Sequence, residues 1–201
     1  MTRRACLLTI WVLLIFPRWL PAHILPLYRM LPDVVVSDGG ELQYQDGKPH
    51  YLSWSSAQLV GKVRLIQHIA GRMSARNMNE TLMTALKAAN LPREYYQTTT
   101  IVNADEAVIG TGFFVRKRIE AGKTQYPWTQ FVLDNQGEVR KAWQLTPKSA
   151  AVIVLDKEGR IRYVKDGSLN RQEVQQVVNL LQVLLSQASS EQGDTKPRIE
   201  K

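Results

Sequence analysis

Two short apolar runs bounded by turn residues decide what this chain can fold into. Residues 63–69 (VRLIQHI) lie between Gly61 and Gly71, and residues 151–156 (AVIVLD) run into Lys157-Glu158-Gly159. Both are rich in β-branched and aliphatic side chains and read as strands, the first of them central. Residues 96–103 (YQTTTIVN) and 130–134 (QFVLD) read as two more. Between the strands at 63–69 and 96–103, residues 74–89 read as a helix. Met78, Leu82 and Leu86 recur at i, i+4 and i+8, and Leu91-Pro92 stops it. Residues 111–121 read as a second helix ending near Gly122. The last helix opens with a capping box, Asn170-Arg171-Gln172-Glu173, and carries one stripe of Val174, Val177, Val178, Leu181, Leu184 and Leu185. Strands separated by helices, then a hairpin and a final helix, point to an α/β sandwich with a mixed sheet. Ahead of this frame, Asp38-Gly39-Gly40 predicts a hairpin turn between residues 33–37 and 41–45, and Asp46-Gly47-Lys48-Pro49 predicts another turn.

At 201 residues, with 44% hydrophobic and 22% charged side chains, the chain suits one globular domain rather than a disordered or collagen-like one. One Cys and three His leave no material for a disulfide framework or a Cys/His metal cluster, and no metal or cofactor is expected. The net charge of +8 invites a nucleic-acid or membrane-surface reading, which the N-terminus weakens. Arg3 and Arg4 precede the apolar residues 5–16 (ACLLTIWVLLIF). Pro17 and Arg18 end that run well short of the roughly 20 residues a membrane span needs. With Ala22 ahead of His23, the pattern predicts a cleavable secretory signal peptide over residues 1–22. Cleavage leaves 179 residues, and the charge falls from +8 to +5, because Arg3, Arg4 and Arg18 leave with no acid. Cys6, the only cysteine, leaves too. The expected domain spans 23–186, and the polar residues 187–201 read as a disordered tail.

Beyond single elements, longer words carry a resemblance. Gly61-Lys62-Val63 with its strand, glycine loop and helix resembles secreted thioredoxin-like proteins of the thiol-reductase and peroxiredoxin type. VLDNQGEVRKAWQL followed by SAAVIVLDKEGRIRYVKDGSL resembles their second half. More narrowly, GKVRLIQHIAGRMSA, YQTTTIVN, GTGFFVR, YPWTQF and KDGSLNRQEVQQV resemble the YtfJ family of small Gram-negative periplasmic proteins, over residues 42–185. The resemblance implies a thioredoxin-like three-layer sandwich with a mixed central sheet and an N-terminal β-hairpin extension. It implies export to the periplasm and says little about activity.

The departures from the thioredoxin pattern carry the chemistry. The resemblance puts Met73 and Arg76 where the two cysteines of Cys-x-x-Cys stand, and Ala150 where a cis-proline faces them, with Pro147 three residues early. Thiol–disulfide exchange needs a thiolate and a resolving thiol. A thioether and a guanidinium supply neither, so a non-redox protein is expected. The vacated site is a candidate ligand site: Arg72 and Arg76 flank an expected helix start, Ser74 adds a hydroxyl, and His68 stands on the preceding strand. A small anion or a partner's carboxylate suits that set. The plainer reading makes Ser74 an N-cap, Arg76 a solvated residue and His68 a packed one.

Three functions therefore compete: a periplasmic binding or adaptor protein for a protein partner or small anion, an enzyme reusing the pocket around His68, Arg72, Ser74 and Arg76, and a DNA-binding regulator. The last conflicts with the signal peptide. Gly110-Thr111-Gly112 lacks the third glycine of a dinucleotide loop. Asp134-Asn135-Gln136-Gly137 and Asp156-Lys157-Glu158-Gly159 lack the ligands of a calcium loop and read as hairpin turns. Asp105-Glu106 has no carboxylate partner at a defined spacing. Arg116-Lys117-Arg118 reads as a solvated helix face, and Tyr126-Pro127-Trp128 as core packing.

Overall fold

Parallel strands cannot be joined by a tight turn, so the chain between residues 63 and 134 crosses over through helices. The computed structural model describes residues 25–194. In chain order its strands are β1 (Val35–Gln45), β2 (Lys48–Ser55), β3 (Val63–Ala70), β4 (Tyr96–Asn103), β5 (Gln130–Asp134), β6 (Ala150–Leu155) and β7 (Ile161–Asp166). The helices are α1 (Met73–Arg76), α2 (Glu80–Ala89), α3 (Gly112–Gln125), α4 (Glu138–Trp143) and α5 (Arg171–Asp194). One mixed sheet runs in the order β2-β1-β5-β4-β3-β6-β7. β3, β4 and β5 are mutually parallel, while β6, β7, β1 and β2 join antiparallel.

Residues paired in register share a face, which sorts the core into two layers. Val63, Leu65, Val152 and Val154 face α2 through Leu82 and Leu86, and α5 through the stripe from Val174 to Leu185. Val102 pairs with Ile69 and Leu133, so α3, packed on Leu133 by Val115 and Ile119, covers the same side. On the other face Ile66, Ile101, Val132 and Ile153 meet Val139 and Trp143 of α4, Trp54, and residues Leu25, Leu31 and Val34 of the lead-in. The Trp143 indole N–H donates to the Pro32 carbonyl at 2.9 Å and holds that lead-in down. These are the three layers the sequence predicts. The capping box forms as read: Glu173 N–H donates to Asn170 Oδ1 at 2.9 Å, and Asn170 N–H to Glu173 Oε2 at 2.8 Å.

Four local expectations need correction. The N-terminal hairpin exists, but it turns at Asp46-Gly47, while Asp38-Gly39-Gly40 lies inside β1 at a register shift between Val36 and Glu41. Gly39 and Gly40 take φ of +102° and +95° and bring the β1 backbone close to both neighbouring strands. A Cβ on Gly40 would stand 2.0 Å from the Leu52 carbonyl oxygen, and one on Gly39 2.2 Å from that of Leu133. The single helix expected over residues 74–89 is broken by a 3-10 turn, Asn77–Asn79, because Asn79 is buried and tied to the loop before α5. Its Oδ1 accepts from Leu169 N–H at 3.1 Å, and its Nδ2 donates to the Gly167 carbonyl at 3.4 Å.

Asp134 does not open a hairpin turn. Fully buried, it accepts at Oδ1 from the N–H of Glu138 (3.0 Å) and at Oδ2 from that of Val139 (2.9 Å), satisfying the first amides of α4. The turn at Asp156 to Gly159 does join two antiparallel strands, as read. Finally, α5 runs to Asp194 with Ala188 buried, so the tail expected from residue 187 begins inside a helix whose stripe extends one turn further. The expected signal peptide, residues 1–22, lies outside the described residues, as do residues 195–201.

The two glycines of β1 give a direct check. Gly40→Ala should lower unfolding free energy by roughly 2–5 kcal/mol, combining positive-φ strain with a backbone overlap. Urea denaturation measures it, and a loss no larger than that of an exposed-loop Gly47→Ala would contradict the inserted β1 backbone.

Candidate functional site

The C-terminal ends of the parallel strands, where open α/β sheets bind ligands, are also where the sequence-predicted residues cluster. At the end of β3, Gly71 N–H donates to the Asn103 carbonyl at 2.8 Å. A Cβ on Gly71 would lie 2.9 Å from that oxygen, so the chain turns here only without a side chain. Arg72 follows in extended conformation as the N-cap residue of α1. Its Nε and Nη2 donate to the Glu106 carbonyl at 3.1 and 2.8 Å. Met73 opens α1 with half its surface exposed, and Ser74 and Arg76 are exposed beside it. Ser74 is not the cap, since Arg72 holds that position without a side-chain bond. Nor is α1 the long helix the anion reading needs: it is one turn of four residues, with little macrodipole of its own.

Glu106 ties this corner together. Its Oε1 accepts from Lys148 N–H at 2.9 Å and lies 3.6 Å from Arg140 Nε, while its carbonyl holds Arg72. Lys148, at φ +58°, belongs to the loop ahead of β6; Ser149 in that loop accepts from Ala70 N–H at 3.0 Å. Ala150, at the position the resemblance gives to a cis-proline, is buried and opens β6. No cis peptide occurs among the described residues. No local sequence signal marks Glu106 or Arg140, because their meeting depends on α4 landing over the end of β4.

His68 does not join the other candidates. It pairs with Ile101 and Ala151, faces the α4 side of the sheet, and is 1% exposed. Its Nε2 has no hydrogen-bond partner. Burial, with Arg140's charge adding to it, pushes the imidazole down to about 4, so it is neutral at ordinary pH. His68 is the packed strand residue of the plainer reading. Asn103 Nδ2, Glu106 Oε2 and Arg140 Nε are likewise buried without hydrogen-bond partners.

What opens to the surface is a groove of about 220 Å³ that the sequence did not reveal. Gly71, Arg72 and Met73 form one wall; Val108, Thr111, Phe114, Val115 and Arg118 form the other. Beyond it stand more exposed apolar side chains, Ile109 (100%) and Phe113 (64%), and Phe114 on its wall is itself 63% exposed. The only hint in the sequence was GTGFFVR, whose adjacent phenylalanines begin a helix and cannot both face its core side. The lining offers two guanidinium groups and apolar surface, with no carboxylate, imidazole or thiol. Among the described residues no group of three or more His, Cys, Asp or Glu side chains is placed to hold a metal ion.

A family model described as a bacterial protein of unknown function (YtfJ_HI0045) matches residues 25–184. The uncharacterized protein YtfJ of Escherichia coli K12 is 51% identical over 172 residues, covering 86% of this chain and 94% of that protein. An uncharacterized protein of Haemophilus influenzae is 42% identical over 160 residues, covering 80% and 87%. Among solved structures, a putative protein disulfide isomerase from Bacteroides thetaiotaomicron superposes with a TM-score of 0.54 at 18% identity, covering 84% of this chain and 96% of that one. The thioredoxin domain of a thiol-disulfide oxidoreductase from Bacteroides vulgatus gives 0.50 at 18% identity, covering 77% and 96%. The fold is thioredoxin-like.

Two outcomes check the site. His68 ionises far more easily in the unfolded chain, at 6.5, than in the folded one, at about 4. Its contribution to stability is therefore full above pH 6.5 and lost as pH falls from 6.5 towards 4, by about 3 kcal/mol in all. Urea midpoints across that range, compared with those of His68→Leu, should show the variant losing less stability on acidification; equal losses would place His68 in water. Separately, Met73→Cys combined with Arg76→Cys should close a disulfide under mild oxidant, counted as loss of free thiols. A folded double variant that stays reduced would remove the assignment of these positions to the thiols.

Proposed function

Because this chain belongs to the YtfJ_HI0045 family of bacterial proteins of unknown function, we propose its role from the site itself: a periplasmic thioredoxin-like protein that binds a partner non-covalently beside Met73, without redox chemistry. The observation that carries this is the open apolar groove alongside Met73, at the helix start where the resemblance expects a thiol. The chain's one cysteine is Cys6, inside the expected leader. A groove lined mostly by apolar side chains, with two guanidinium groups, rewards a protein segment more than a small anion, since burying apolar area is its largest available gain.

The enzyme reading loses its assembly. His68 is sealed in the core on the α4 side, while Ser74 and Arg76 are exposed on α1, so His68 does not serve Ser74 as a general base. Arg72, the member of that set on the groove wall, is held by a backbone carbonyl. The expected signal peptide supports export and speaks against a role on the chromosome.

A photo-cross-linking residue, p-benzoylphenylalanine, replacing Met73 in Gram-negative cells is expected to trap a partner protein in the periplasmic fraction. The adduct should survive dithiothreitol. The same residue replacing Gln175, on the exposed side of α5, should not trap it. Equal trapping from both positions, no adduct from Met73, or an adduct only in the cytoplasm would overturn the proposal.

A further inference from the structure

The groove beside Met73 is small, mostly apolar and lined by two arginines, and these three properties together narrow what fits it. Its volume of about 220 Å³ lies below the roughly 300–1,000 Å³ of sites that enclose a cofactor or drug-sized molecule. A single large side chain fills it better. Val108, Phe114 and Met73 supply the apolar contact, and Ile109 and Phe113 continue it outward as exposed surface.

The charged residues lining it have one sign. Arg72 and Arg118 line the groove, and Arg76 stands one turn along α1 from Met73. Arg72 is held by a neutral carbonyl, and Arg76 and Arg118 make no ion pair among the described residues. Of the adjacent cations on α3, Lys117 is neutralised by Glu120 at 3.0 Å, while Arg116 lies over the Tyr51 ring. Glu106, whose carbonyl holds Arg72, has its carboxylate facing Arg140 at 3.6 Å. The groove thus presents uncompensated positive charge at both walls.

That sign excludes the chain's own candidates. Residues 1–24 carry Arg3, Arg4 and Arg18 and no acid, and residues 195–201 carry Lys196, Arg198 and Lys201 against Glu200 alone. A second copy would bring the same cationic face. Resting on the docking role proposed above, we infer that the groove receives a segment of a partner protein with one bulky apolar side chain flanked by Asp or Glu. The apolar anchor fills the space between Met73 and Phe114, and the flanking carboxylates pair with Arg118, Arg76 and Arg72.

Fluorescence anisotropy with the purified exported chain tests this, using labelled short peptides: Phe flanked by Glu, the same Phe flanked by Lys, and a Glu-flanked Ser. Only the first should bind, and its affinity should fall as salt is raised. Arg118→Glu and Ile109→Ser, both at exposed positions, should each weaken it by about tenfold or more with circular dichroism unchanged. Binding of the Lys-flanked peptide, indifference to both substitutions, or binding only to vesicles of anionic phospholipid would overturn the ligand class. The two proposals fail separately: a Met73 cross-link that the Glu-flanked peptide does not compete away sinks the acidic anchor and leaves docking intact. Peptide binding without any cellular cross-link at Met73 sinks the docking role.

Discussion

Glu106 is the joint on which the functional end of this protein depends. Its carbonyl fixes Arg72, and its carboxylate fixes the Lys148 amide and faces Arg140. Those three partners sit on the loop after β3, the loop before β6 and helix α4. A carboxylate only 10% exposed is costly unless it is paired and hydrogen-bonded, and each bond to a charged group contributes roughly 1.5–3 kcal/mol. Between them, the carbonyl and one carboxylate oxygen of Glu106 hold two loops and place α4 beside them in one geometry. With Arg72 held there, one wall of the groove is set; with α3 packed through Val115 and Ile119, the other wall is set.

The arrangement separates the parts that stabilise from the parts left exposed. His68, Asn103 and Asp134 look inward at α4 and are buried, and Asp134 spends its acceptors on the helix amides. Met73, Val108, Ile109, Phe113 and Phe114 look outward, though burying them elsewhere would have been favourable. An apolar patch of this kind beside arginines without ion pairs suits the docking role proposed above. Neither the joint at Glu106 nor the two core layers uses a thiol.

Much of the frame was legible in the sequence because its signals are local. Residues 96–103 and 130–134 form strands with the bounds their β-branched runs predict, and Asn170 with Glu173 makes both hydrogen bonds of the capping box. The misreadings share a cause. Asp38-Gly39-Gly40 carries the chemistry of a turn, yet the glycines serve a close passage between β2 and β5, a contact with Leu133 about a hundred positions away. Helix α4 was missed because its N-terminal amides are satisfied by a buried aspartate on the preceding strand, and the short run EVRKAW carries little periodicity.

By itself, the sequence determined the strands and helices whose patterns repeat every two or three to four residues, the absence of any thiol beyond Cys6, and the sign of the charge. Only the tertiary structure decided which way His68 points, that Glu106 meets Arg140, and that Met73 and Phe114 face each other across a groove. The division is physical. Helix and strand preferences act over a few residues through backbone sterics and hydrogen bonding, so spacing along the chain records them. A pocket arises where elements distant in sequence pack at fixed distances, and those distances are set by core volume and crossover geometry rather than by any local pattern.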